Sequence, residues 1–226
     1  MTYINPMKKA LVVGASGGIG AALMKELETR GFTVTGVSRL KNGLDVTDPV
    51  SVDRVFNELS GPFDAVFVAT GILAGTNGKP EKTLSALDPS KMLEIYAVNA
   101  VGPALILAKV ERLLGKVTPS FVAVLTARVG SIGDNRMGGW YSYRASKAAA
   151  NQIVRSAALE LSRKRKQSIV VALHPGTVET SFTKDYKAHH KVSASMAAKN
   201  LCDVVLELSP DQSGQFFDYN GDIVPW

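Results

Sequence analysis

Only one cysteine, Cys202, occurs in 226 residues. No internal disulfide can form, so a disulfide-built secreted scaffold is excluded. Histidine is nearly as scarce, at three residues. His189 and His190 are adjacent, yet no third or fourth ligand follows at a metal-binding spacing. No apolar run approaches the roughly 20 residues that cross a bilayer, and residues 1–9 lack the apolar segment of a secretory signal. The expectation is a chain of the reducing cytoplasm with no membrane partner. Acidic residues are outnumbered, 20 against 26 Lys and Arg, which gives a net charge of +6 and a pI near 9.4. That excess suits a phosphorylated ligand and is weak support for nucleic acid, which is not expected as a partner. What the chain does have is 46% hydrophobic residues, 20% charged residues and a mean hydropathy of +0.08. This composition excludes disorder and fits one core, hence one domain over residues 1–226.

The apolar residues fall into short continuous runs separated by helical stretches. Ala10–Gly14, Phe32–Val37, Asp64–Val68, Ser120–Leu125, Ser168–Leu173 and Gly214–Asp218 read as strands. Helical spacing covers Gly20–Arg30, Pro49–Leu59, Ser90–Leu114, Tyr143–Arg163 and Ser195–Leu208. Continuous rather than alternating apolar strands indicate a parallel sheet covered on both faces. The pattern predicts a single doubly wound, Rossmann-type α/β domain, with a mostly parallel sheet of about seven strands. Ligands of such sheets bind beyond the carboxyl ends of the strands, so function belongs just after Val13, Val37, Val68, Leu125 and Leu173.

After the first run comes Gly14-Ala15-Ser16-Gly17-Gly18-Ile19-Gly20, opening a helix. Glycines there let the backbone turn tightly and approach a pyrophosphate at the helix N-terminus. The G-x-G-x-x-G spacing is not met, since Leu23 follows, and no Lys-Ser/Thr pair makes it a P-loop. The plainer alternative, a glycine-rich turn without ligand, is less favoured by its strand–turn–helix setting. At the end of the second run, where an NAD site places Asp or Glu, stand Ser38 and Arg39. The Arg39 guanidinium can hold a 2′-phosphate with the Ser38 hydroxyl beside it, pointing to NADP(H) rather than NAD. Leu44-Asp45-Val46-Thr47-Asp48 follows, in which Thr47 or Asp48 suits a helix cap.

Tyr143 and Lys147 are spaced i, i+4 at the start of an apolar helix, which puts phenol and ammonium on one face. A phenol titrates near 10, and a neighbouring ammonium would favour its ionised form. Alone, this pair is a common surface accident. Together with the glycine turn and the segments below, however, it makes the whole chain resemble the short-chain dehydrogenase/reductase family. Arg128–Asn135, Gly138–Tyr143 and the ending Phe216–Trp226 look like its C-factor branch. The resemblance implies that Asp45, with Val46, contacts the adenine, and that Ala69, Thr70 and Gly71 line the cofactor. It also implies that Asn99, in Val98–Pro103, organises a water and proton path beside Lys147, and that Tyr143 and Lys147 touch the cofactor as well, Lys147 at the nicotinamide ribose. Pro175 and Gly176 would form the turn near the nicotinamide, with Val178 and Thr180 facing the carboxamide. It further implies a small carbonyl or alcohol substrate and a homodimer or homotetramer formed through residues 97–114 and 143–163.

Three positions depart from that family's pattern. Val13 replaces a Thr, Val68-Ala-Thr-Gly71 lacks a stabilising Asn, and Ala127 occupies the place of the catalytic Ser. The nearest hydroxyls are Thr126 and Ser131; Ser131, twelve residues before Tyr143, joins Asn99, Tyr143 and Lys147 as a candidate catalytic residue. Loss of one oxyanion donor costs on the order of 10²–10³ in turnover. The leading expectation is an NADP(H)-dependent carbonyl reductase or alcohol dehydrogenase. The rival is a dinucleotide-binding signalling or sensor protein with weakened catalysis. Arg163–Lys166 reads as a solvated helix end, Cys202 as a core residue and His174 as structural. The segment Phe182–Val192 is short for a substrate lid.

Overall fold

The strand runs are hydrophobic without alternation because both faces of the sheet are covered. In the computed structural model, which describes residues 8–76, 78–183 and 191–226, strands β1 (Lys9–Val13), β2 (Thr33–Val37), β3 (Ala65–Val68), β4 (Ser120–Leu125), β5 (Ser168–His174) and β8 (Phe216–Asp218) form one sheet. All its pairings are parallel, in the order β2-β1-β3-β4-β5-β8. The six strands are the six apolar runs, and among the described residues no seventh joins them. A separate two-stranded pair joins β6 (Val178–Glu179) to β7 (Val192–Ser193).

Alternate side chains enter different cores, as the period of two dictates. Leu11, Val13, Val66, Val68, Val122 and Val124 pack on one face with α3 (Pro49–Asn57), α5 (Gly102–Val110) and α6 (Tyr141–Lys164). Ala10, Val12, Ala65, Phe67, Ala123 and Leu125 pack on the other with α1 (Gly18–Thr29) and α7 (Ala194–Leu206). Cys202 lies in this second core, fully buried, and burial pushes its thiol up to about 12. Burying an aliphatic side chain contributes about 1.5–3 kcal/mol, so the two layers hold the strand ends rigidly. The sheet winds outward in both directions from β1, which has β2 on one side and β3 on the other. A crevice is expected where the connections diverge.

Side-chain caps set the start of the two helices that follow β2. Asp48 caps α3, its carboxylate accepting from Val50 N at 2.9 Å, and Pro49 takes the first helical position. The short α2 (Arg39–Asn42) begins at Ser38, whose Oγ accepts from Lys41 N at 3.2 Å.

The single helix expected over 90–114 is instead α4 (Pro89–Tyr96), a π-helical turn (Ala97–Val101), α5 and a 3₁₀ turn. Pro103 has no N–H to give the Asn99 carbonyl, and its ring would crowd it, so the helix widens one turn earlier. By length and composition alone the stretch Pro89–Leu113 is long and apolar enough to cross a membrane. Here its apolar residues Ile106, Val110 and Leu113 are buried in the sheet-facing core.

Candidate active site

A cleft of about 530 Å³ opens at the carboxyl ends of β1, β3, β4 and β5. The turn that follows β1 and borders the cleft is built of glycine because nothing larger fits. Gly14 has φ +88°, and a Cβ there would lie 2.9 Å from the Ala69 carbonyl oxygen. A Cβ on Gly20 would lie 2.1 Å from the Gly14 oxygen, so the turn can close only with glycine. Gly17 caps α1 without a side-chain bond, which leaves the first N–H groups of that helix directed outward. Gly17, Gly18 and Ile19 line the cleft, with the Gly18 backbone close against Thr180. Ser16 is exposed on the same turn.

Arg39 is exposed, lines the cleft and makes no ion pair among the described residues. Ser38 is buried beside it as the α2 cap. Asp45 is exposed and does not border the cleft; its Oδ1 accepts from Thr47 N and Oγ1 at 2.9 and 2.7 Å. Those bonds hold its carboxyl below the usual range. Val46 packs against Gly102 rather than the cleft, since a Cβ on that glycine would meet its side chain at 2.9 Å.

The opposite wall carries Tyr143 and Lys147, both on α6 and both bordering the cleft. The Lys147 Nζ donates to the Leu125 carbonyl at 3.0 Å and lies 6.0 Å from the centroid of the Tyr143 ring. Burial disfavours charge on each, pushing the Tyr143 phenol up and bringing Lys147 down to about 8. Trp140 and Phe182 hold the phenol ring edge-on and tilted, with centroids at 6.2 and 6.1 Å.

Asn99 lies behind this wall, fully buried on the π-helical turn. Its Oδ1 accepts from Ile72 N at 2.8 Å, and its Nδ2 donates to Ile72 O at 2.8 Å and Ser146 Oγ at 3.1 Å. A Cβ on Gly71 would lie 3.3 Å from both Asn99 Oδ1 and Lys147 Nζ, so that glycine lets the loop after β3 approach the pair. Ala69, Thr70 and Gly71 line the cleft there, and Pro175, Gly176, Val178 and Thr180 line it after β5.

Ser131 is not brought to the cleft. It is buried, and its Oγ accepts from Asp134 N at 3.0 Å. Thr126 and Ala127 do border the cleft, and the Thr126 hydroxyl has no hydrogen-bond partner among the described residues. Thr70 Oγ1 and His174 Nδ1, in cleft residues, are likewise buried and without a partner among the described residues. His174, expected to be structural, also borders the cleft, and burial lowers its imidazole to about 4. Glu81, in the loop after β3, carries no signal in the sequence because a Gly/Pro/Lys-rich loop has no periodicity. Most of the segment expected as a short lid, and both His189 and His190, lie outside the described residues.

Residues 8–191 match the family model for short chain dehydrogenases. The 1-hydroxy-2-glutathionyl-2-methyl-3-butene dehydrogenase of Rhodococcus sp. (strain AD45) is 33% identical, over 97% of this chain and 100% of its own. The C-signal of Myxococcus xanthus is 35% identical over 63% of this chain and 83% of its own. A Burkholderia multivorans protein assigned to the short-chain dehydrogenases/reductases, solved with bound NADP, superposes with a TM-score of 0.83 at 27% identity, covering 98% of this chain and 100% of that one.

Proposed function

Because this chain belongs to the short-chain dehydrogenase/reductase family, we propose that it is an NADP(H)-dependent reductase of small carbonyl compounds that also runs as an alcohol dehydrogenase. The observation that carries this reading is one cleft with a glycine cradle and Arg39 at one wall and the buried Tyr143–Lys147 pair at the other. The cradle fits a dinucleotide: the outward N–H groups of α1 suit its pyrophosphate, and Arg39 suits a 2′-phosphate. Gly14, Ser16, Gly17, Gly18, Ile19, Gly20, Ser38, Arg39, Ala69, Thr70, Gly71, Pro175, Gly176, Val178 and Thr180 would hold it, with Asp45 toward the adenine. When bound, NADP(H) supplies or accepts the hydride.

The chain supplies the proton and the geometry. Tyr143 gives its phenolic proton to the carbonyl oxygen in reduction and takes it back in oxidation. Burial keeps the phenol protonated, as a donor requires, while the Lys147 ammonium acts in the opposite sense and eases proton release. Asn99 holds the Ile72 segment against Lys147, and both hydrogens of its amide are taken by protein groups. Trp140, Phe182 and Leu73 give the substrate end an apolar lining. The partner is therefore a small molecule. Pairing into homodimers or homotetramers through residues 97–114 and 143–163 is supported by the exposed Val101 and Leu159 on those segments.

NADPH oxidation followed at 340 nm against a panel of aldehydes and ketones tests the assignment. Wild type should turn over at least one of them, and Tyr143→Phe should not, while still binding NADPH. A second reading, a dinucleotide-binding signalling protein with little turnover, is favoured by Ala127 and by the similarity to C-signal. It wins if NADPH binds and no carbonyl is reduced.

A further inference from the structure

The helix that carries Tyr143 and Lys147 starts in an unusual way. Gly138, Gly139 and Trp140 have φ of +63°, +65° and +53°, three left-handed residues in succession. Trp140 occupies the N-cap, yet an indole has no acceptor with which to cap a helix, and no side-chain cap bond comes from it. The first turn contains no acidic residue either. The acceptor comes from 59 positions earlier than Trp140, on the loop after β3. Glu81 is 9% exposed. One carboxylate oxygen accepts from Ser142 N at 3.3 Å, and the other accepts from the Ser142 hydroxyl. Its main-chain oxygen accepts from Trp140 N at 2.5 Å. Ser142 itself is fully buried and directly precedes Tyr143.

We infer that Glu81 is a positioning residue for Tyr143. It clamps the uncapped start of α6 from outside the helix and so fixes where the phenol enters the cleft. This rests on Tyr143 being the proton donor. A carboxylate at a helix N-terminus satisfies orphan N–H groups and meets the positive end of the helix. Here the same carboxylate also ties the helix to the loop whose Ala69, Thr70, Gly71 and Leu73 line the cleft. Asn99 pins that loop at Ile72, and Glu94 pins it at Thr76, accepting from its N–H and hydroxyl at 2.8 Å each. Glu81 is the third attachment and reaches the residue directly before Tyr143. Without it, the strained Gly138–Trp140 entry keeps two side-chain clamps. Arg144 donates to the Gly138 and Gly139 carbonyls at 3.2 and 3.0 Å, and Asn135 Oδ1 accepts from Gly138 N at 3.0 Å. Both hold the turn, and neither offers an acceptor to the Ser142 N–H.

The test compares Glu81→Ala, Glu81→Gln and Tyr143→Phe in the full chain. Turnover is read with NADPH and 4-nitrobenzaldehyde, NADPH affinity by fluorescence titration, and amide exchange on the peptide covering 139–147. Glu81→Ala should lower kcat by about tenfold to a hundredfold, the size of effect a small misplacement of a reacting group produces. NADPH affinity should stay within about twofold, because the glycine turn and Arg39 are on the other wall and Asn99 and Glu94 still pin the loop at Ile72 and Thr76. Exchange at Tyr141–Tyr143 should speed up. Glu81→Gln keeps an acceptor for Ser142 and should recover most of the turnover; it also serves if the alanine variant does not fold. Unchanged kcat in folded Glu81→Ala alongside an inactive Tyr143→Phe overturns this inference alone. Equal losses of kcat, NADPH affinity and thermal stability make Glu81 merely structural and also overturn it. A fully active Tyr143→Phe overturns both it and the proton-donor reading.

Discussion

Replacing Ala127 with serine should make this protein faster. Ala127 borders the cleft with an extended backbone, φ −155° and ψ 144°, which serine adopts without strain. The residue is 7% exposed, so one added oxygen needs little space and faces the cleft margin rather than a sealed core. An oxyanion donor contributes about 2.7–4 kcal/mol to the transition state. A grafted hydroxyl with imperfect alignment that captures half of this, about 1.4–2 kcal/mol, raises kcat by about 10- to 30-fold. The gain should fall on kcat rather than on NADPH affinity, since the bond strengthens as the substrate oxygen gains charge. An unpaired hydroxyl in the resting protein costs about 1–3 kcal/mol when fully buried, and the cleft edge places Ala127→Ser at the low end. Steady-state kinetics on Ala127→Ser, Thr126→Val and Ser131→Ala, with melting temperatures, decides the matter. If Ala127→Ser leaves kcat unchanged while Thr126→Val lowers it tenfold, the unpartnered Thr126 hydroxyl already donates. Wild type then lacks no donor, and the expected gain is refuted. Loss of kcat in Ser131→Ala would contradict its place away from the cleft.

Arg39→Ala should weaken NADPH binding about tenfold to a hundredfold, the loss of a charge-assisted bond of about 1.5–3 kcal/mol, and leave NADH nearly unaffected; equal losses in a calorimetric titration would refute the 2′-phosphate role. Gly20→Ala should abolish NADPH binding or folding, because its Cβ would sit 2.1 Å from a backbone oxygen that cannot move aside; a soluble variant with wild-type affinity in a fluorescence titration would show that the turn relaxes. Lys147 also makes stability depend on pH. Its folded pKa of about 8 lies below the ordinary 10.5, so between those values the unfolded chain binds the extra proton. Stability should therefore rise with pH across that window and be lost as pH falls through about 8. Urea midpoints should show this slope in the NADPH-free protein, and Lys147→Met should flatten it. His174 gives a second window: its stabilising contribution, present above about 6.5, is lost as pH falls through about 4. His174→Phe should reduce the acid sensitivity measured by the same titration.

The strand runs, the glycine turn and the i, i+4 spacing of Tyr143 and Lys147 are legible in the amino-acid order alone because each is a local constraint. A buried parallel strand must be apolar on both faces, a backbone turn with φ near +88° at Gly14 must be glycine, and helical spacing fixes which side chains share a face. Asp48 as a cap and Cys202 as core are local in the same sense, and both hold; of Arg163–Lys166, expected as a solvated helix end, Arg163 and Lys164 close α6 and Arg165 caps it with its Nε buried. What the chain order does not supply is distance between segments far apart. Ser131 and Thr126 are both hydroxyls near the end of β4, and only packing turns Ser131 toward Asp134 while Thr126 borders the cleft. The widened turn at Asn99 follows from Pro103, but its bonds to Ile72 and Ser146 depend on how the helix lies against the loop after β3. Glu81 has no local signature at all. Its carboxylate matters because folding brings an irregular loop to a helix start that cannot cap itself, and an orphan N–H finds its acceptor only in three dimensions.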